Sequence, residues 1–277
     1  MIAVTGPTGN IGRALVERLV AAGRPVRALT RDPGRARLPA GVETVRLDPA
    51  EPDGLFEGAT ELFLYVQAGG EHTPRLLDAA RAAGVRHVVL LSSGIIDSGA
   101  DESHPIHVMH ATAERHVRDS GLTWTFLRPN AFATNAFQWA PQIRAGDTVR
   151  GVFADGQAAP IHEDDIAAVA ERALLDDGHV GAAHRLTGPE AITNAGQVAA
   201  IGKALGRELD FTEVAPDEAA AELFPHVPPE MLQALLKSFA ATVGVPPEIT
   251  GTVGEITGRP ARPFAVWAED HADDFRA

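Results

Sequence analysis

The chain has 277 residues, 45% of them apolar and 22% charged, with a formal net charge of −13 and no cysteine. A chain of this size and balance buries about three quarters of its unfolded surface, as one large domain or one domain with an appendage. The composition excludes disulfides, thiolate metal sites and a cysteine nucleophile, and the negative charge argues against nucleic acid as a partner. No apolar run reaches transmembrane length, so no membrane association and a cytoplasmic location are expected.

The first element sets the reading. The apolar run at residues 2–4 predicts a buried strand, and Gly6, Gly9 and Gly12 follow it in a G-x-x-G-x-x-G pattern. Ile11, Leu15 and Leu19, with Val16 and Val20, then lie on one face of a helix. A glycine turn between a strand and a helix suits a pyrophosphate: the backbone approaches closely, and the helix N-terminus carries free N–H groups and partial positive charge. The candidate cradle is Gly6, Thr8, Gly9, Asn10, Ile11 and Gly12.

Strands are predicted at 25–30, 42–47, 62–66, 87–92 and 124–127, and helical patterns at 72–83 and 106–119 alternate with them. The continuous apolar runs at 62–66 and 87–91 fit strands buried on both faces. This alternation predicts an α/β doubly wound parallel sheet, with ligands at the carboxyl ends of its strands. The second half is less regular. Asp164 and Asp165 precede a helix to about Leu175, and a short strand at 184–186 leads into Thr187-Gly188-Pro189. Helices are expected at 194–205, 216–223, 229–242 and 264–275. The expected division is a nucleotide-binding domain over 1–150 and a small, mostly helical C-terminal substrate lobe over 151–277, partly interleaved with the first.

The end of the second strand bears on the cofactor. Where an acidic residue would hold a ribose hydroxyl, the chain has Thr30-Arg31-Asp32. Arg31 can pair with a 2′-phosphate, which predicts NADP(H) in preference to NAD(H); the alternative leaves Arg31 solvated and gives Asp32 to NAD. Asp48, at the end of the third strand, is placed for an adenine amino group or serves as a turn residue before Pro49. At other carboxyl strand ends, Val66, Gln67, Ala68, Ser92, Pro129 and Asn130 complete the candidate cofactor set.

These stretches, with Val85-Arg86-His87-Val88-Val89, Leu127-Arg128-Pro129-Asn130 and Leu186-Thr187-Gly188-Pro189, resemble the NmrA-like atypical short-chain dehydrogenases/reductases. Within that family the chain is similar to bacterial NAD(P)H-dependent quinone and azo-dye reductases. The resemblance implies a Rossmann domain with strand order 3-2-1-4-5-6, and NADP(H) in a cleft against a small C-terminal lobe. Several members of the family bind the nucleotide without turning it over and dock onto transcription factors.

Most short-chain dehydrogenases use a Y-x-x-x-K pair. Here the one tyrosine, Tyr65, closes a strand with no lysine nearby, and the two lysines are Lys203 and Lys237. In place of the pair stand His110 and Glu114, at i and i+4 on one helix, 18 residues after Ser92. A histidine beside a carboxylate can give a proton near neutral pH, with Ser92 assisting; alternatively the pair only lines the nicotinamide pocket. After the sixth strand, Asn135, Phe132 and Trp139 are candidates for contacting a flat conjugated acceptor, or the aromatics serve packing. His104, His107 and His110 do not make a convincing metal set, because Pro105 places the first outside the helix; no metal is expected.

The expected function is an NADPH-dependent oxidoreductase that passes hydride to a quinone-like or other conjugated carbonyl acceptor. The alternatives are a catalytically inactive NADP(H)-sensing regulator with a protein partner, and a reductase tailoring a biosynthetic intermediate. A homodimer is compatible with either.

Overall fold

The computed structural model of the chain describes residues 1–99, 101–216, 218–219, 223–224 and 227–276. Half of the helix expected at 216–223 lies outside the described residues. In chain order the elements are β1 (Ile2–Thr5), α1 (Asn10–Ala21), β2 (Val26–Thr30), β3 (Glu43–Arg46), β4 (Glu61–Tyr65), α2 (Val66–Gly69), α3 (Thr73–Ala82), β5 (His87–Leu91), α4 (Pro105–Asp119), β6 (Thr123–Pro129), β7 (Ala131–Phe132) and α5 (Ala140–Ala145). They continue as β8 (Thr148–Gly151), β9 (Gln157–Ala158), β10 (Pro160–Ile161), α6 (Glu163–Leu175), β11 (Ala183–Leu186), β12 (Ile192–Thr193), α7 (Asn194–Leu205), β13 (Asp210–Glu213), α8 (Pro229–Ala240), α9 (Thr252–Thr257) and α10 (Phe264–Asp270).

The chain divides into two compact units. The first contains Met1–Pro129, Glu163–Leu186 and Thr252–Arg259. Among its described residues seven strands form one sheet in the order β11-β6-β5-β4-β1-β2-β3, and every pairing is parallel. The order 3-2-1-4-5-6 is therefore the one expected, with β11 added beside β6. Strands buried on both faces need apolar residues at both parities. Leu62, Leu64, Val88 and Leu90 join Leu76, Leu77, Ala80, Ala113 and Val117 of α3 and α4 in one core cluster. Phe63 and Val89, of the other parity, are equally buried, and α6 packs on β4 and β5. Helices α1 and α6 lie together, with Arg18 Nε donating to Glu171 Oε2 at 2.9 Å. The carboxylates at 163–165 occupy the first turn of α6, where they complement the helix dipole.

The second unit contains Asn130–His162, Thr187–Gly251 and Pro260–Ala277. Its strands are short pairs: β7 with β10 and β8 with β13, both parallel, and β9 with β12, antiparallel. These pairs were not read from the sequence, because two to four residues carry too little periodicity. Its core holds Trp139, Ile143, Val149, Val198, Ile201, Phe264, Trp267 and Phe275. Trp267 stacks on Phe264 at 5.2 Å, and Phe137 packs against both Trp267 and Phe275.

Candidate active site

The turn between β1 and α1 is built by its glycines. Gly6 has φ +63°, a left-handed conformation that glycine adopts without strain. The Gly9 N–H donates to the Gly6 carbonyl at 3.2 Å, and the helix begins at Asn10. A Cβ on Gly12 would lie 2.0 Å from the Gly6 carbonyl oxygen, so the helix can start this close to the turn only with glycine there. Thr8, Gly9 and Asn10 are exposed on the outer side. The first-turn N–H groups have no helical partner, which fits the demands of a dinucleotide pyrophosphate. The strand end is tied to its neighbour: Thr5 Oγ1 donates to the Phe63 carbonyl at 3.1 Å and accepts from the Tyr65 N–H at 2.7 Å.

At the end of β2, Arg31, Arg35 and Arg37 are all exposed. Asp48 is exposed, and its Oδ1 accepts from the Ala50 N–H at 3.1 Å, so one of its oxygens closes a turn. Val66 is buried in the core cluster, whereas Gln67 is exposed and Ala68 packs at the cluster's margin. Tyr65 lies against Gly6, and burial raises its phenol further above the neutral range. Lys203 is on α7 and Lys237 on α8.

Ser92, His110 and Glu114 come together differently from the expectation. Glu114 is 1% exposed, and its oxygens are engaged by groups other than His110. Oε1 accepts from Ser92 Oγ at 2.7 Å and Arg128 Nε at 2.8 Å; Oε2 accepts from Arg128 Nη2 at 2.6 Å and Arg118 Nη2 at 2.9 Å. The bidentate, charge-assisted Arg128 contact holds the carboxylate and commits the Ser92 proton to it. Arg128 continues to Asp97, at 3.2 Å, and Asp97 also accepts from Arg185 of β11 at 2.5 Å. Sequence reasoning missed Arg118, Arg128, Asp97 and Arg185. The partners lie up to 88 residues apart, and an arginine at a strand end carries no periodic signal.

His110 stands apart from this network. Burial pulls its imidazole down to about 4, and the nearby Glu114 charge opposes this only in part. The expectation of titration near neutrality is corrected: desolvation disfavours the imidazolium, so the ring is neutral at pH 7. Its Nδ1 is buried without a hydrogen-bond partner among the described residues.

Of the acceptor-side candidates, all in the second unit, Asn135 is exposed and Phe132 half-buried. Trp139 is 6% exposed and packs edge-on against Phe211 in that unit's core. Its assignment to substrate is therefore corrected to packing, because its apolar ring is already covered. Phe264 and Trp267 pack in the same core.

A family model described as NAD(P)H-binding matches residues 6–177. The chain is 41% identical over 281 residues to (4-alkanoyl-5-oxo-2,5-dihydrofuran-3-yl)methyl phosphate reductase of Streptomyces griseus subsp. griseus, covering 99% of each chain. It is 35% identical over 291 residues to NAD(P)H azoreductase of Xenophilus azovorans, covering 100% of each. The solved structure of the NADPH-dependent quinone oxidoreductase of Escherichia coli, complexed with NADPH, superimposes with a TM-score of 0.80 at 25% identity, over 98% of this chain and 99% of that one.

Proposed function

Because the chain belongs to the NAD(P)H-binding family and has reductases among its relatives, we propose that it is an NADPH-dependent reductase of a quinone-like or other conjugated carbonyl acceptor, working without a tyrosine–lysine pair. The observation that carries the nucleotide assignment is the tight Gly6–Gly12 turn, where a Cβ on Gly12 would collide with the Gly6 backbone. The nicotinamide, when bound, supplies the hydride.

The chain's own residues supply binding and electrostatics. The free N–H groups at the start of α1 hold the pyrophosphate, and exposed Arg31 pairs with the 2′-phosphate. Ser92, fixed by Glu114 and Arg128, holds a set position at the end of β5. Neutral His110 lines the site without carrying charge at pH 7. In the second unit, Phe132 and Asn135 are the proposed acceptor contacts. Conjugation of the acceptor supports this economy of catalytic groups. Charge arriving on a conjugated carbonyl is delocalised, so positioning can supply much of the acceleration without a strong acid.

The test is incubation of the pure protein with NADPH and a panel of quinones, enones and azo dyes, following nucleotide oxidation. Turnover with a quinone or enone is expected. Oxidation no faster than the protein-free background with every acceptor rejects the reading.

A further inference from the structure

Among the described residues, two buried side-chain polar atoms have no hydrogen-bond partner: His104 Nε2 and His110 Nδ1. Both lie on or beside α4, six residues apart. Buried polar groups are almost always paired, so each orphan calls for a physical account.

Neutral His110 serves as a wall of the proposed site. His104 has had no role. It is the N-cap of α4, and its Nδ1 accepts from the Ile106 N–H at 3.2 Å. A nitrogen that accepts from an N–H carries no proton, so the single imidazole proton sits on Nε2. The cap thus fixes the tautomer and leaves a buried N–H donor without an acceptor. Capping alone does not explain a histidine here, since serine, threonine, asparagine and aspartate are the preferred caps. The surrounding backbone holds the ring in place. The His104 N–H donates to the Asp101 carbonyl at 2.9 Å, and the His104 carbonyl accepts the first helical bond from Val108 at 3.0 Å. Asp101 Oδ1 in turn accepts from the Ser103 N–H and hydroxyl. The residue closes the connection that leaves the carboxyl end of β5, the edge of a parallel sheet where ligands bind.

We propose that His104 is a specificity-determining residue, donating from Nε2 to the carbonyl oxygen of the acceptor. This rests on the reductase reading above. A pre-oriented N–H donating to an oxygen that gains negative charge stabilises the transition state more than the ground state. The contact is a hydrogen bond and needs no proton transfer. An acceptor whose oxygen is replaced by a group unable to accept a hydrogen bond leaves the donor unpaired and is discriminated against.

His104→Ser separates this role from capping, since serine keeps the cap and removes the donor. The melting temperature is expected to hold or rise, and NADPH affinity to stay within about twofold. The kcat/KM for menadione is expected to fall about 100-fold to 1,000-fold, the range for loss of one such donor. A second readout needs no turnover. Histidine 15N resonances of the wild type, assigned by loss of one set in His104→Ser, are recorded with NADP+ before and after adding menadione. His104 should show a bare Nδ1 and a protonated Nε2, and the Nε2 proton should shift with menadione. A His104→Ser protein with unchanged kcat/KM overturns the proposal. So does a proton on Nδ1, or an Nε2 resonance indifferent to menadione. If the wild type oxidises no NADPH with any acceptor, the reductase reading fails on its own, and the resonance arm alone decides His104.

Discussion

Glu114 accepts from two arginines and a serine while almost wholly buried, so removing it strands charge that the interior cannot solvate. Glu114→Ala is expected to lose about 3–5 kcal/mol, measured by denaturant unfolding. Arg118→Ala should lose less than about 1 kcal/mol, because the Arg118 side chain is 44% exposed and water screens its pair. His110 sets a pH dependence of definite sign. Its folded-state value is about 4, below the ordinary 6.5. Between those values the unfolded chain binds a proton that native His110 refuses. The stability is therefore whole above about pH 6.5 and falls as the pH drops toward 4, by about 3 kcal/mol in full. His87 and His184 are also lowered by burial and act in the same direction. The measurement is thus a difference: between about pH 7.5 and 4.5, His110→Gln should lose less unfolding free energy than the wild type, and equal losses would contradict the assignment. Arg31 belongs to the same scale. Arg31→Ala should weaken NADPH binding by about tenfold or more and leave NADH nearly unchanged, since only NADPH brings the phosphate that a charge-assisted contact recognises. Titration of both nucleotides by fluorescence distinguishes this from a uniform loss.

At the scale of elements, the β1–α1 turn and the α1–β2 turn contain glycines for different reasons. Gly23 has φ +68° but open space around it, so alanine there meets only backbone strain. Gly12 would put its Cβ 2.0 Å from backbone, which cannot rotate away as a side chain can. Gly23→Ala should lower stability by about 1 kcal/mol with nucleotide binding intact. Gly12→Ala should displace the start of α1 and abolish measurable NADPH binding, while the circular dichroism of the sheet and helices persists. Gly12→Ala binding NADPH like the wild type would remove the turn from the cofactor site. The strand and helix patterns that place this turn were legible because long apolar runs and 3.6-residue periods dominate β1, β4, β5, α1 and α4. The pairs β7–β10, β8–β13 and β9–β12 were not, because their length is below one clear period.

At the scale of the molecule, each unit has its own buried core. In the second unit Trp267 is fully buried among Phe264, Phe137 and Phe275. Trp267→Ala is expected to destabilise that core by about 3–5 kcal/mol, read from the denaturant midpoint at unchanged slope. The first unit is assembled from three stretches of chain, with α6, β11 and α9 returning to it after the second unit has begun. Such a return leaves no compositional mark, because α6 reads as an amphipathic helix wherever it packs.

The sequence by itself determined the parallel α/β sheet, its strand order through family resemblance, and the glycine turn that suits a pyrophosphate. Those features rest on local periodicity and on glycine's freedom from Cβ, which adjacent residues report. Only the tertiary structure decided who holds Glu114, that His110 is too buried to charge at pH 7, that Trp139 is core, and that His104 keeps a donor with no acceptor. Each of these depends on desolvation and on partners remote in the chain, and spacing along the sequence carries neither.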